Sequence, residues 1–307
     1  MFYKYLFAFF LIKTLYCINC QKYKPHNMKT LFKPSIAILC FLLTFNLCNG
    51  QALMPQASSS QTLVQDFGLG KVTLTYGRPN MNNRKIFGGL EPYGAVWRTG
   101  ANEAPKLTFT DEVSILGNKI PAGSYSLFTV PNKNMWTVIL NKTADQWGAY
   151  DYKMEDDFLR IEIKPSKINP SVETFSMLFS NVKLGKMNLD LMWENTLISI
   201  PMEVDFDAKV IANIQKAMAS DKKPYFAAAQ YYYNNNKDIK QAFLWINEAE
   251  KTDQKAPWYK YWKAKILLKS GDKVGAIATA KTGAELAKAI NNQEYVNLNE
   301  SVIEMAK

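Results

Sequence analysis

The hydrophobic pattern of this chain changes its period once, and this change limits the possible folds more than any other feature. Between residues 61 and 204, apolar and polar residues alternate, as at Val72, Leu74 and Tyr76, which are separated by threonines. Alternation with a period of two is typical of strands that bury one face. From Asp205 onward, alanine becomes frequent and the period is that of a helix. The sequence therefore predicts a β domain followed by an α domain.

The β domain is predicted to contain about eight to ten short strands, rich in β-branched and aromatic residues. The clearest strand segments are 72–76, 107–110, 113–116, 125–130, 135–140, 158–163, 175–179, 188–193 and 198–204. Gly117 and Asn118 supply a short hairpin turn. Because no helical segment lies between the strands, we expect an antiparallel β-sandwich or jelly-roll-like domain over residues 55–205.

The α domain is expected over residues 206–307, with about five or six helices. A repeat with an offset of 34 residues pairs Tyr225 with Tyr259, Asp238 with Asp272, and Ala242 with Ala276. This spacing resembles that of tetratricopeptide repeats, in which helical hairpins stack on one another. The sequence thus predicts a tetratricopeptide-like helical array, and a generic helical bundle is the alternative. Such an array would bind a protein partner.

Residues 1–50 have the composition of a targeting segment and not of a folded domain. Met28 is followed by two lysines and then by an apolar stretch over residues 36–47. A basic start, an apolar stretch of about a dozen residues and a polar or small end are typical of a secretory signal peptide. We therefore place the true start at Met28 and cleavage near Gly50, which leaves no stable membrane span. Residues 1–27 are either an untranslated upstream segment or an additional anchor.

Cysteine and histidine occur only in this N-terminal region. Cys17, Cys20, Cys40, Cys48 and His26 all precede Gly50. The remaining chain therefore excludes disulfides, cysteine nucleophiles, Ser-His-Asp catalysis and histidine-ligated metals. An exported chain without cysteine is more typical of a bacterial envelope protein than of a small disulfide scaffold. We predict no cofactor and no metal, and we interpret the acidic segment 151–157 as a solvated loop.

The net charge of +10 does not indicate a nucleic-acid partner. Six of the 37 basic residues lie in the first fifty positions, and no acidic residue does. The rest of the chain holds 31 basic and 27 acidic residues, which is close to balance. A strong basic surface, the electrostatic requirement for binding nucleic acid, is therefore not expected.

A long segment without a clear period, residues 77–103, separates two predicted strands. Loops of this length inside a domain are usually functional or disordered, and the aromatic and arginine content here argues against disorder. Tryptophan faces beside arginine and asparagine donors suit a sugar or a small anion. The candidate ligand-binding residues are Arg78, Arg84, Trp97, Arg98, Asn102, Glu103 and, farther along the chain, Trp147. The alternative is that Arg98 pairs with Glu103 to pin the loop while Trp97 fills the core.

Five stretches of this sequence resemble one family. They read RKIFGGL at 84–90, PYG at 92–94, WRTGANEA at 97–104, PAGSYSLF at 121–128 and QWGAY at 146–150. Together they resemble the exported bacterial family known as domain of unknown function 2911. The resemblance implies a secreted, β-rich domain of a kind typical of Bacteroidetes over about residues 55–205, and it implies no activity. The helical region lies outside it.

These observations favour an exported, non-enzymatic binding or scaffold protein of the cell envelope, either periplasmic or secreted. Its β domain would hold a glycan or small ligand, and its helices would bind a protein. The first alternative is a carboxylate-dependent hydrolase that acts on polysaccharide, with Glu103 as the candidate acid. A further alternative is a purely structural partner in an outer-membrane complex.

Overall fold

The computed structural model describes residues 54–307, so the predicted signal region and its cleavage site lie outside the described range. Within that range, ten strands precede six α-helices. The strands are β1 (Ser59–Phe67), β2 (Gly70–Arg78), β3 (Ala101–Phe109), β4 (Val113–Ile115), β5 (Asn118–Ile120), β6 (Gly123–Val130), β7 (Trp136–Asn141), β8 (Asp157–Ile163), β9 (Ser166–Ser180) and β10 (Lys186–Glu203). The helices are α1 (Asp207–Met218), α2 (Tyr225–Asn234), α3 (Ile239–Thr252), α4 (Pro257–Lys269), α5 (Lys273–Ala289) and α6 (Gln293–Ala306).

The strands form two antiparallel sheets. The larger sheet has six strands in the order β1-β2-β3-β6-β7-β8, and the smaller has four in the order β5-β4-β10-β9. One face of each sheet is apolar because alternate side chains point to the same side. Val72, Leu74 and Leu107 of the larger sheet are buried, and so are Leu189 and Ile200 of the smaller one. These inner faces enclose one hydrophobic core. The predicted antiparallel β-sandwich-like fold, followed by helices, is confirmed.

Two details of the strands differ from the sequence prediction. The segments 188–193 and 198–204, predicted as separate strands, belong to the single strand β10. A local irregularity absorbs the polar residues between them, since Glu194 has a φ of 53° and the register with β9 shifts on both sides of it. Strand β1 was missing from the predicted segments because most of its side chains are polar and, except for Phe67, none is buried.

Consecutive helices pack against each other from α2 to α6. Asp238 accepts a hydrogen bond from Lys240 N at the start of α3, and Asp272 accepts one from Gly275 N at the start of α5. These two N-caps stand 34 residues apart, as the sequence repeat has them. The tetratricopeptide-like character of the array stays a prediction.

Ion pairs join the start of the helical region to its neighbours. Lys209 of α1 contacts Asp111, in the turn between β3 and β4, at 2.5 Å. Asp207 accepts from Lys237 at 2.5 Å and from the Tyr231 hydroxyl at 2.7 Å, and these bonds lower the pKa of Asp207. None of the helices described here is long and apolar enough to cross a membrane.

Candidate functional site

The outer face of the six-stranded sheet carries a pocket of about 280 Å³. Its floor consists of β1, β2 and β3, and its far wall is part of the connection between β7 and β8. This size is close to the lower end for small-molecule sites. The polar and aromatic residues that line the pocket are Gln56, Ser60, Thr75, Tyr76, Asn102, Glu103, Lys106, Asp145, Gln146 and Trp147.

Backbone pairing brings the far wall of the pocket to β3. Ala104 N donates to Gln146 O at 2.9 Å, and Gly148 N donates to Asn102 O at 3.0 Å. These two bonds place Trp147 directly opposite Glu103 as an antiparallel pair. Residues that face each other in such a pair have their side chains on the same side of the sheet. The Trp147 side chain is 59% exposed, so an aromatic face is available beside the Glu103 carboxylate.

A buried polar network fixes the segment that carries Trp147. Gln146 is 7% exposed, and its Nε2 lies 2.8 to 3.1 Å from three acceptors for its two hydrogens, Ser126 Oγ, Asn141 Oδ1 and Thr143 O. Asn141 in turn donates to Lys153 O and to Asp157 Oδ1. Buried polar networks whose members are paired hold a loop in one conformation. Gln146 Oε1 has no partner within residues 54–307, so one acceptor of this pocket-lining residue remains unused.

Asn102 holds the near wall of the pocket in a strained backbone conformation. Its φ is 63°, and its Nδ2 donates to Gln56 Oε1 at 3.0 Å and to Ser58 O at 3.2 Å. Thr99, a buried β-branched residue, also has a positive φ of 59°. Such conformations are costly for residues with a Cβ and are concentrated at binding and active sites.

The backbones of β2 and of the segment before β3 touch beneath the pocket. A Cβ on Gly77 would lie 2.1 Å from Ala101 O, and one on Gly100 would lie 2.7 Å from Gly77 O. Only glycine allows this approach. This close packing explains the glycine in the WRTGANEA stretch.

Opposite charges lie side by side on the pocket wall. Lys106 Nζ contacts Asp145 Oδ1 at 2.6 Å, and their side chains are 43% and 83% exposed. An ion pair so exposed contributes little stability. Both groups therefore remain available to bind the hydroxyls of a ligand. Neither residue was among the seven ligand-binding candidates predicted from the sequence. The one indication for Lys106 was that it is a polar residue in a strand segment where polar and apolar residues alternate.

Trp97 is part of the core and not of the pocket. It is 4% exposed and stacks on Trp193 with ring centroids 5.8 Å apart and planes 17° apart. Phe87, Trp136 and Phe175 surround it with edge-to-face contacts. The structure thus matches the alternative in which Trp97 fills the core. The burial of Trp97 could not be predicted from the sequence, because a tryptophan in a loop segment can either fill the core or bind a ligand.

Arg98 lies near Glu91 instead of pairing with Glu103. No ion pair joins Arg98 to Glu103 within the described residues, where Glu103 is exposed. Burial raises the pKa of Glu91 from its ordinary value of 4.5 to about 7, although the positive charges of Arg98 and Arg84 oppose this shift. Arg98 Nε is buried and has no partner within residues 54–307. Arg98 and Glu91 both lie outside the pocket lining.

Arg78 and Arg84 also have structural contacts. Arg78 Nε donates to Phe175 O at 3.2 Å and its NH2 group donates to Ser176 Oγ at 2.9 Å, which ties β2 to β9. Arg84 donates to Met81 O and Asn80 O within its own loop. Of the seven sequence candidates, the pocket therefore brings together Asn102, Glu103 and Trp147.

The potential metal-ligating and acidic side chains of the pocket are two carboxylates, those of Glu103 and Asp145. No group of three or more potential metal-ligating side chains occurs in residues 54–307. Glu103 and Asp145 both line the pocket, and both are exposed to solvent. The arrangement is suited to binding through an aromatic face and several hydrogen-bonding groups.

The helical region carries a second cluster of aromatic and basic side chains. Lys265 Nζ lies 4.3 Å from the ring centroid of Trp262, 4.8 Å from that of Tyr233 and 5.2 Å from that of Tyr261. Partial burial among these rings lowers the pKa of Lys265. No ion pair within residues 54–307 includes this lysine, and the aromatic rings attract its ammonium group without neutralising its charge.

One known protein family matches the part of the chain that forms the two sheets. Residues 58–202 match the model of the family described as Protein of unknown function (DUF2911). Neither a curated protein nor a solved structure is significantly similar to the chain. The match begins at the start of β1 and ends in β10, so it covers the two sheets and stops before the helices. The sandwich of this chain is therefore similar to the DUF2911 family over nearly its whole length.

Proposed function

We propose that this chain is a non-enzymatic binding protein of the cell envelope, and that its β domain holds the end of a glycan in the pocket beneath Trp147. The observation that carries this proposal is the pairing of Trp147 with Glu103 at the pocket rim. Sugar rings have one apolar face and a rim of hydroxyls, and therefore suit an aromatic plane flanked by carboxylate, amide and ammonium groups. Gln56 and Asn102 provide amide groups, and Lys106 provides an ammonium group.

A thermal-shift screen of the full chain tests this proposal. The ligands are soluble glycans and peptidoglycan fragments, each added at increasing concentration. A ligand that binds the folded state at 100 times its dissociation constant adds about 2.7 kcal/mol, or roughly 5–10 °C for a chain of this size. We expect a saturable shift with at least one glycan. The absence of any shift across the screen would contradict a glycan site.

The helical region supports a second component of the proposal, a protein partner. The aromatic rings around Lys265 and the free charge of this lysine favour a partner that presents carboxylates there. Lys265→Glu should abolish co-purification of such a partner with the full chain. Lys281→Glu, which changes an exposed lysine on α5, is the matched control and should retain it. Equal recovery with both variants would contradict this assignment.

We propose that the chain is exported, because residues 1–50 have the composition of a secretory signal peptide. Mass spectrometry of the protein recovered from the periplasm or medium of an expressing bacterium measures its new N-terminus. We expect it near Gln51, after removal of about fifty residues. An intact Met1 or Met28 terminus in the cytoplasmic fraction would contradict export.

The hydrolase alternative has one observation in its favour, the presence of Glu103 and Asp145 in the same pocket. It predicts release of sugar from a polysaccharide by the wild-type chain and loss of that activity in Glu103→Gln. Binding without release would favour the non-enzymatic function.

A further inference from the structure

The edges of the two sheets are not equally protected. An edge strand presents unpaired backbone N–H and C=O groups that attract other strands unless charges, irregularities or covering segments block them. Strand β5 has only three residues. Strand β8 carries exposed Arg160 and Glu162, and its register with β7 shifts between Leu140 and Asn141. Both edges are therefore poor templates for pairing.

The edge of β9 is covered by the chain itself. Phe175 N donates to Pro79 O, and Met81 N donates to Glu173 O, both at 2.8 Å. Met177 N donates to the Tyr76 hydroxyl at 2.7 Å. These contacts use the outward backbone groups in the middle of β9, so an incoming strand would have to displace them.

Strand β1 has none of these protections. Its nine residues pair with β2 in an unbroken register from Ser59 opposite Arg78 to Phe67 opposite Gly70. It contains no lysine, arginine or proline, and Asp66 is its one charged residue. Within residues 54–307, β2 is the only strand beside it. Its outer edge is therefore a long and regular template with a single charged residue near one end.

The hydrophobic core is also incomplete at β1. Leu63 packs against the core but is only half-buried, whereas Leu74, its partner on β2, is fully buried. On the opposite face, Val64 is 59% exposed. A further strand beside β1 would cover both side chains.

The sequence of β1 is nearly symmetric about its centre, so two copies can pair in antiparallel orientation with similar residues opposite each other. About Leu63 as centre, Gln61 is matched by Gln65, and Thr62 by Val64. In an antiparallel pair centred there, Asp66 would face Ser60 of the second copy, so no like charges would meet. We propose that β1 pairs with β1 of a second copy of this chain, in the register that places Leu63 opposite Leu63, and that this pairing joins the two six-stranded sheets into one.

Disulfide trapping tests the register directly. The full chain is used with Cys17, Cys20, Cys40 and Cys48 replaced by serine, so that an introduced thiol is unique. One sample carries Thr62→Cys and another carries Val64→Cys. In the proposed register these positions face each other with Cβ atoms about 5 Å apart, whereas identical positions are diagonal and about 7–8 Å apart. Mixing the two samples should give at least about fivefold more disulfide dimer than either sample alone. Equal yields would overturn the register.

Sedimentation equilibrium of the full chain tests the dimer without cross-linking. Val64→Lys places a charge on each side of the pairing and should raise the dimer dissociation constant at least about tenfold. Val64→Thr is the matched control, because it keeps a β-branched side chain, and it should retain the dimer. Circular dichroism checks that both variants fold. A wild-type monomer at all concentrations, or the same dissociation constant for both variants, would overturn the proposal.

Discussion

Trp147 and Glu103 face each other across an antiparallel pair on the outer surface of the six-stranded sheet. Two backbone bonds and a buried network around Gln146 hold the pair in place. Trp147, whose side chain is 59% exposed, thus lies beside the Glu103 carboxylate at the rim of a pocket. Both residues belong to the segment 58–202 that matches DUF2911.

The two tryptophans of the loop segments should differ in their effect on stability. Trp97→Ala removes a ring that is 4% exposed, and we expect it to lower the free energy of unfolding by about 3–5 kcal/mol. Trp147→Ala removes a ring that is 59% exposed and should change it by less than about 0.5 kcal/mol. Urea denaturation measures both. Similar losses for the two variants would contradict their assignment to core and pocket.

Gly77→Ala should destabilise the β domain by about 2–4 kcal/mol. The added Cβ would lie 2.1 Å from Ala101 O, and a backbone atom cannot move away as a flexible side chain can. Gly94→Ala is the control: no atom lies within 4 Å of the added Cβ, although its φ of 78° costs about 1 kcal/mol. The midpoint of chemical denaturation distinguishes them. An equal cost at both positions would mean that the close approach of β2 and β3 is not a constraint.

Glu91 should make the stability depend on pH between about 4.5 and about 7. Burial raises its pKa in the folded state to about 7, so the folded state binds its proton more tightly than the unfolded chain does. Its stabilising contribution is therefore fully present below about pH 4.5 and is lost as the pH rises to about 7. Relative to wild type, Glu91→Gln should be more stable at pH 8 by roughly 2 kcal/mol, allowing for solvent screening, and about equally stable at pH 4.5. A difference that does not change with pH, measured by urea denaturation, would contradict this.

The helix N-caps at equivalent repeat positions should contribute equally. Asp238→Ala and Asp272→Ala each remove an acceptor for a backbone N–H at a helix start, and each should cost about 1 kcal/mol. Helical circular dichroism during thermal unfolding measures both losses. A cost at one position alone would indicate that the two hairpins are not equivalent, which would favour the generic bundle over a repeat array.

The alternating pattern was sufficient to predict the sandwich, because each inward position of β2 follows it. It failed at β1, whose one buried residue is Phe67, since an edge strand beside an incomplete core needs few apolar side chains. It divided β10 in two at Glu194, because a polar residue in a strand irregularity resembles a turn.

The site was predictable only in part, and for a physical reason. Asn102 and Glu103 line the pocket, whereas Arg98, four residues before Asn102, lies outside the pocket lining and near Glu91. The backbone between these positions turns at Thr99, Gly100 and Asn102, whose φ angles are positive. Lys106 and Asp145 form an ion pair although they are 39 residues apart in the sequence, and no sequence pattern predicts this contact.

Isothermal titration calorimetry with a glycan that stabilises the wild-type chain tests the central claim most directly. Trp147→Ala should weaken binding at least about tenfold, which corresponds to the loss of roughly 1.4 kcal/mol of aromatic contact. Tyr150→Ala, which removes an 81% exposed ring from the same segment but not from the pocket lining, should leave the affinity unchanged. Unchanged affinity in Trp147→Ala, or equal losses in both variants, would contradict a glycan site at the Trp147–Glu103 pair.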